Sequence, residues 1–178
     1  MQLAMSLSIF DHEPPGNAGG QIWKGGATDL GPRTMLAEPA RWLTVTDHGA
    51  DEPPLALAGP TLLHWDLTQI NPGDLASPET AGGVILVSMN VEASREEEFN
   101  DWYNMEHIPH FNRLRGVIAA RRFRARHGNP RYVALYHVEN TAIYASPGWM
   151  AANETPWILR MRRFQFDRTY FMFQQRVK

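Results

Sequence analysis

Within the segment Asp101-Trp-Tyr-Asn-Met-Glu-His-Ile-Pro-His110 lie two adjacent aromatics, an amide, carboxylates and two imidazoles. Neutral imidazole is the natural proton shuttle near pH 7, so His107 and His110 are the first candidates for a general base. Tyr103 precedes His107 by one helical turn and shares its face. Its phenol can donate to a developing oxyanion. Trp102 can wall a pocket, and Asn104 or Glu106 can orient either the imidazole or a substrate. Plainer roles exist for each: a helix C-terminus favours a charged histidine, and tyrosine and tryptophan pack cores with a satisfied polar tip. His107-x-x-His110 with Glu106 also has the donor types of a metal site. Pro109 interrupts the regular helix that would put both rings on one face, and no second histidine pair stands out. No metal and no cofactor are therefore expected.

The remaining candidates sit on strands. Tyr136 and His137 are neighbours, and adjacent strand residues face opposite sides of a sheet. One therefore meets the helices and the other the opposite sheet face. His64 and Trp65 split in the same way. His137 is a second catalytic candidate, and His64 and Tyr136 are substrate-binding candidates. In the row Arg121, Arg122, Arg124, Arg126, one of the first two can hold a carboxylate or phenolate, and Arg121 is the candidate taken. A solvated face is the alternative for that row, and for Arg160, Arg162 and Arg163. Tyr170, Phe171 and Phe173, with Trp149 and Trp157, suit either a core or an apolar cavity for a flat ligand.

The elements that must carry these groups are legible from residue 83 onward. Val84 to Val91 begins as a continuous apolar run, the mark of a buried strand. Ser94 and Glu97 have capping-box spacing. Phe99, Trp102, Tyr103 and Glu106 then recur at helical spacing. Pro109 is expected to end that helix by pushing Ile108 off helical angles, and Gly116 to stop a short turn after it. Val117–Arg126 and Arg131–Glu139 read as strands around the turn His127-Gly-Asn-Pro130. An irregular helical stretch broken by Pro147-Gly148 and Pro156 follows, then a closing strand from Phe166 to Val177.

The order β-α-β-β-α-β is ferredoxin-like. Its bare sheet face must be covered, usually by a second copy, so a homodimer is expected unless the copy is internal. Ala40–Gly49 echoes Ala120–Gly128, and Leu62–Leu67 echoes Val133–Val138. Met5–His12 then matches the strand at Val84. On that reading residues 1–82 are a worn, Gly/Pro-rich repeat in which the stretch Gly16–Gly31 replaces the first helix. Residues 83–178 form the intact half, and the cavity lies between sheet and helices. The fold class is α+β, a ferredoxin-like half packed on a degenerate N-terminal repeat in a dimeric α+β barrel architecture.

Bulk properties set the outer limits. The 178 residues suit one medium domain or two fused small ones, and 43% apolar residues supply a core. A net charge of −2 gives no electrostatic case for nucleic acid or an anionic membrane. The absence of cysteine rules out disulfides and thiolate metal sites. No apolar run is long enough to span a bilayer, and no secretory start is evident. A cytoplasmic location is the default expectation.

Trp102-Tyr-Asn-Met-Glu-His-Ile-Pro109, followed by Gly116, Ala120-Arg-Arg-Phe123 and Tyr132-Val-Ala-Leu-Tyr136, resembles the EthD-like branch of the dimeric α+β barrel superfamily. The resemblance covers residues 83–177, and the first half departs from it. It points to the position of His107 as the functional one. It is nearly silent on substrate, since relatives include lyases, cyclases, isomerases, cofactor-free monooxygenases and haem enzymes. The expected activity is that of a cofactor-independent lyase, dehydratase, cyclase or isomerase acting on a small aromatic or polyketide-like compound. The alternatives are a non-catalytic small-molecule binding or accessory protein, and a cofactor-free or haem monooxygenase.

Overall fold

The computed structural model describes residues 2–16, 18–28, 41–56 and 59–177. Eight strands run along it: β1 (Leu3–Phe10), β2 (Gln21–Thr28), β3 (Arg41–Gly49), β4 (Leu63–Asn71), β5 (Gly83–Val91), β6 (Val117–His127), β7 (Tyr132–Val138) and β8 (Gln165–Val177). Between β5 and β6 lie α1 (Glu96–Trp102) and α2 (Ile108–Asn112). Between β7 and β8 lie α3 (Pro147–Ala152) and α4 (Pro156–Met161). No described helix is long and apolar enough to cross a membrane.

The architecture is α+β, with a large antiparallel sheet and few helices. All strand pairs are antiparallel, and the sheet closes on itself in the order β1-β3-β2-β8-β5-β7-β6-β4. Each half of the chain has one strand order. In the second half it runs β8-β5-β7-β6, and in the first β4-β1-β3-β2, so both read fourth, first, third, second. Seams at β2–β8 and β4–β6 join the halves.

Period-2 alternation decides which side chains go where. Met5, Leu7 and Ile9 of β1, Val84 and Leu86 of β5, Val133 and Leu135 of β7 and Phe171 and Phe173 of β8 fill the barrel interior. The intervening Ile85, Val87, Met89, Ala134 and Tyr136 face outward, where Phe99, Trp102, Phe111, Trp149 and Ile158 of the helices cover them. That explains why these strands are apolar at nearly every position. The first half differs. Its outward positions hold hydroxyls such as Ser6, Ser8 and Thr44, and among the described residues it has no helix to cover them. Leu55 N–H instead donates to Ser6 Oγ at 3.1 Å.

Four local expectations need correction. Residues 21–28, read as part of a helix-replacing stretch, form strand β2 (29–31 lie outside the described residues). Gly25 shows why glycine is used there, since a Cβ would sit 2.0 Å from the Met172 carbonyl oxygen. The β2–β8 seam bulges at Lys24/Gly25, and only a bare backbone permits the approach. The extra strand also shifts the internal echoes by one. By strand position β3 matches β7 and β4 matches β8, whereas the echo set residues of β3 against β6 and of β4 against β7.

The capping box does not form either. A 3-10 turn at Ala93–Arg95 leads into α1, whose N-cap Arg95 makes no side-chain cap bond. Pro109 does not end the helix. Ile108 stays helical at φ −60°, ψ −44°, because Tyr103–His107 forms a π-helical turn in which the Ile108 N–H reaches back to the Tyr103 carbonyl. The wider turn relieves the clash a proline ring makes with the carbonyl of the preceding α-turn. Pro109 then sits in the first turn of α2, where a missing N–H costs least.

Candidate functional site

The π turn determines the site. One extra residue per turn brings Trp102, Tyr103 and His107 onto one buried face, at 1%, 2% and 5% exposure. The His107 ring is packed among Trp102 (4.6 Å between centroids), Tyr103 (4.7 Å) and Phe111 (4.6 Å). From the sheet, Tyr136 of β7 meets it, with 2.9 Å between the hydroxyl and His107 Nε2. The Tyr136 phenol interacts in turn with that of Tyr103, whose hydroxyl donates to Met89 Sδ at 3.7 Å. His107 Nδ1 is buried and has no partner.

Burial dominates the electrostatics. It pushes His107 well below the ordinary histidine value of 6.5, aided by the positive charges of Arg122, Arg162 and Arg168. The imidazole is therefore neutral at pH 7. Burial raises Tyr103 to about 12, against the opposing pull of Arg122, and lifts Tyr136 well above 10.0. Both phenols keep their protons at neutral pH.

Arg122 of β6 lies beneath this cluster, fully buried. Its guanidinium is 4.3 Å from the ring centre of Tyr103, 4.7 Å from Tyr132 and 4.8 Å from Phe99. It donates to Asn100 Oδ1 at 2.7 Å and Asn104 Oδ1 at 3.5 Å. Burial lowers it to about 10, so it remains charged. Aromatic faces and two amides hold this cation where a carboxylate would be usual.

Beside His107 is a hollow of about 40 Å³, between the sheet and the helices. Val87, Met89 and Tyr170 line it from the sheet and Trp102, Phe111 and Trp149 from the helices. Tyr144, Asn153, Arg162, Gln165 and Arg168 complete the wall. A larger cleft of about 480 Å³ adjoins it and shares Tyr144, Trp149, Asn153 and Arg162. Four buried polar atoms without partners belong to residues of the inner wall: His107 Nδ1, Trp102 Nε1, Arg162 Nε and Gln165 Nε2.

Of the residues singled out in the sequence, Trp102, Tyr103, His107 and Tyr136 come together here, with the cavity aromatics Trp149 and Tyr170. The other catalytic and substrate-binding candidates do not. His110 is half-buried on α2 and is not part of the hollow's wall. Asn104 is exposed and accepts hydrogen bonds from Asn71 and Arg122. Arg121 faces into the barrel, where it pairs with Asp47 at 3.1 Å and donates to the Leu75 carbonyl and Ser77 Oγ. Strand alternation sent Arg122, not Arg121, toward the helices.

His137 also points into the barrel. It is wholly buried beside Trp23, with neither ring nitrogen partnered. His64 is on the outer face of the first half, 2.9 Å from Ser8 Oγ, in a separate hollow of about 20 Å³. Glu106 accepts from Thr155 Oγ1 at 2.5 Å and so ties the π turn to the start of α4. Among the described residues, no three His, Cys, Asp or Glu side chains gather as a metal site would need.

Sequence reasoning missed Arg162, Arg168, Gln165 and Asn153 as residues of the site, and of the pair Arg121 and Arg122 it took the one that faces the barrel. Arg162 was read with its neighbours as a solvated residue, yet it is half-buried and donates to Asn153 Oδ1 at 3.3 Å. The alternation of β6 was the one available signal, and only for Arg122.

No family model matches the sequence, and no curated protein matches it. Solved structures do resemble the fold. One is a major regulator of staphylococcal pathogenesis, with TM-score 0.58 and 7% identity over 97% of this chain and 99% of that one. Another is an uncharacterised ferredoxin-fold protein from Listeria monocytogenes related to antibiotic biosynthesis monooxygenases. Its TM-score is 0.57, with 10% identity over 98% and 96% of the two chains. A Fusobacterium nucleatum protein, assigned only provisionally as a monooxygenase, has TM-score 0.54 and 10% identity over 98% and 94%. These likenesses establish a ferredoxin-like α+β fold.

Proposed function

We propose that the protein is a cofactor-independent acid–base enzyme acting on a small aromatic or polyketide-like carbonyl compound, with His107 as the proton-carrying group. The assignment to the EthD-like branch belongs to the same proposal and rests on the Trp102–Pro109 segment. One observation carries the reading: a neutral, buried imidazole has Nε2 held by Tyr136 while Nδ1 is unpartnered beside a hollow.

In this proposal the imidazole proton sits on Nε2. The Tyr103 hydroxyl donates to Met89 Sδ. If the Tyr136 hydroxyl donates to Tyr103, its oxygen must accept from His107 Nε2–H. Nδ1 then keeps its lone pair, as a general base requires. In the reaction, Nδ1 takes a proton from a carbon next to a carbonyl, and the C–H electron pair becomes the C=C bond of an enolate. Negative charge collects on the carbonyl oxygen, where a hydrogen-bond donor or a cation steadies it. Return of the proton to another carbon is isomerisation. Departure of a β-hydroxyl with that proton, as water, is dehydration.

Haem does not fit this site. His107 is enclosed by three aromatic rings, and the hollow beside it measures about 40 Å³, far less than a macrocycle occupies.

Proton abstraction can be followed without knowing the natural substrate, as deuterium uptake from D₂O into phenylpyruvate and 2-tetralone by NMR. The protein is expected to accelerate exchange, and His107→Asn to lower that rate on the order of 10² or more with folding intact. Exchange no faster than with the variant would reject the base and favour a non-catalytic binding protein.

A further inference from the structure

We infer that the ligand of this site is a planar aromatic carboxylate, its ring in the outer cleft and its carboxylate in the inner hollow. The inference rests on the proposed reading of the hollow as the substrate site and adds the charge and posture of what binds. Its first support is the inventory of unpaired atoms. Four residues of the inner wall each carry a buried polar atom without a partner; of these atoms, Trp102 Nε1 and Arg162 Nε can only donate, and the Gln165 amide nitrogen donates too. Donors buried without partners are costly unless something from outside accepts from them. One group with two coplanar acceptor oxygens satisfies several at once, which a single phenolate oxygen does less well.

Charge points the same way. The inner wall includes Arg162 and Arg168 and no aspartate or glutamate, and Arg122 lies behind it caged by rings. Size agrees as well. A hollow of about 40 Å³ suits a head group and not a ring. The cleft of about 480 Å³ has room for the ring, and Tyr144 and Trp149 line both spaces, so they can flank a flat body. Arg162 is also common to both and is placed to take the carboxylate at their junction. Glu154, on the cleft wall, leaves the outer end of the ligand in a setting unsuited to a second negative charge.

The test uses 2-naphthoate and its neutral isostere 2-naphthamide, titrated against the whole chain by tryptophan fluorescence. Naphthoate should bind at least about tenfold more tightly than naphthamide. Arg162→Gln should bring the two affinities to within a factor of about three by weakening naphthoate alone. Arg163→Gln, a change at an exposed neighbour, should leave the preference intact. Trp149→Ala should weaken both probes. If Arg162→Gln does not fold, Arg162→Lys serves instead: it keeps the charge, loses the planar fork, and should lose part of the preference.

Equal affinities, binding of neither probe, or a preference indifferent to position 162 would each overturn the inference. Its failure is separable from that of the proposed function. His107→Asn should abolish deuterium exchange and keep the naphthoate preference. A parent chain that shows the preference but no exchange counts against the base alone, and one that exchanges but shows no preference counts against this inference alone.

Discussion

At the residue scale, the account turns on how burial sets His107. A histidine whose charged form is disfavoured stays a free base to lower pH than usual. The acid limb of any kcat/KM profile should therefore fall below 6.5, the ordinary imidazole value. A limb at or above 6.5 would show His107 paired with an acid the site does not contain. Tyr136 tests the relay. Tyr136→Phe removes the acceptor for Nε2–H and frees the imidazole to adopt either tautomer. The exchange rate should drop about tenfold or more, as general acid–base contributions do, while tryptophan fluorescence reports unchanged naphthoate binding. An unchanged rate would remove Tyr136 from the mechanism and leave it a packing residue.

At the element scale, the π turn and the β2–β8 seam are the two features on which the site and the barrel depend. Gly25→Val would drive side-chain atoms into the Met172 carbonyl, already 2.0 Å from an ideal Cβ. It should lower stability by about 2 kcal/mol or more, read as a fall in the urea midpoint. A midpoint unmoved within error would mean that the seam is not closed as described. These two features also mark where the sequence stopped being readable. The order of elements from β5 onward followed from apolar periodicity and turn residues, since packing there obeys local pattern. The face of β6 did not: Arg121 and Arg122 look alike in sequence, and only register decides which one meets the helices. Pro109 misled because the usual proline rule assumes an α turn, and a single π turn suspends it. Strand β2 was hidden because glycines needed for close backbone approach are also the residues that mark loops.

At the scale of the whole molecule, the shared strand order of the two halves supports the proposal that residues 1–82 are a worn repeat of residues 83–178, with no helix among its described residues. The bare sheet faces that suggested a second copy already cover each other inside this barrel, so a homodimer would have to use a different surface. Two wholly or nearly wholly buried neutral imidazoles, His107 and His137, also make the fold acid-sensitive. Burial lowers both below 6.5 in the folded state, with Arg122 assisting at His107 and Arg121 at His137. Below pH 6.5 the unfolded chain binds protons that the folded chain refuses. The stability these groups contribute is thus complete above 6.5 and is lost as pH falls toward their folded values. Each should give a slope of about 1.4 kcal/mol per pH unit. Urea unfolding between pH 6 and 5 should show the combined slope, and His137→Leu should remove about half of it. A variant with the parent's slope would mean that His137 titrates normally.

The most direct measurement on the central claim is the ring-nitrogen NMR spectrum of His107 at pH 7, assigned by comparison with His107→Asn. The account predicts a neutral imidazole with its proton on Nε2 and a bare Nδ1, unchanged down to pH 6. A ring charged at pH 7, or one carrying its proton on Nδ1, would contradict it.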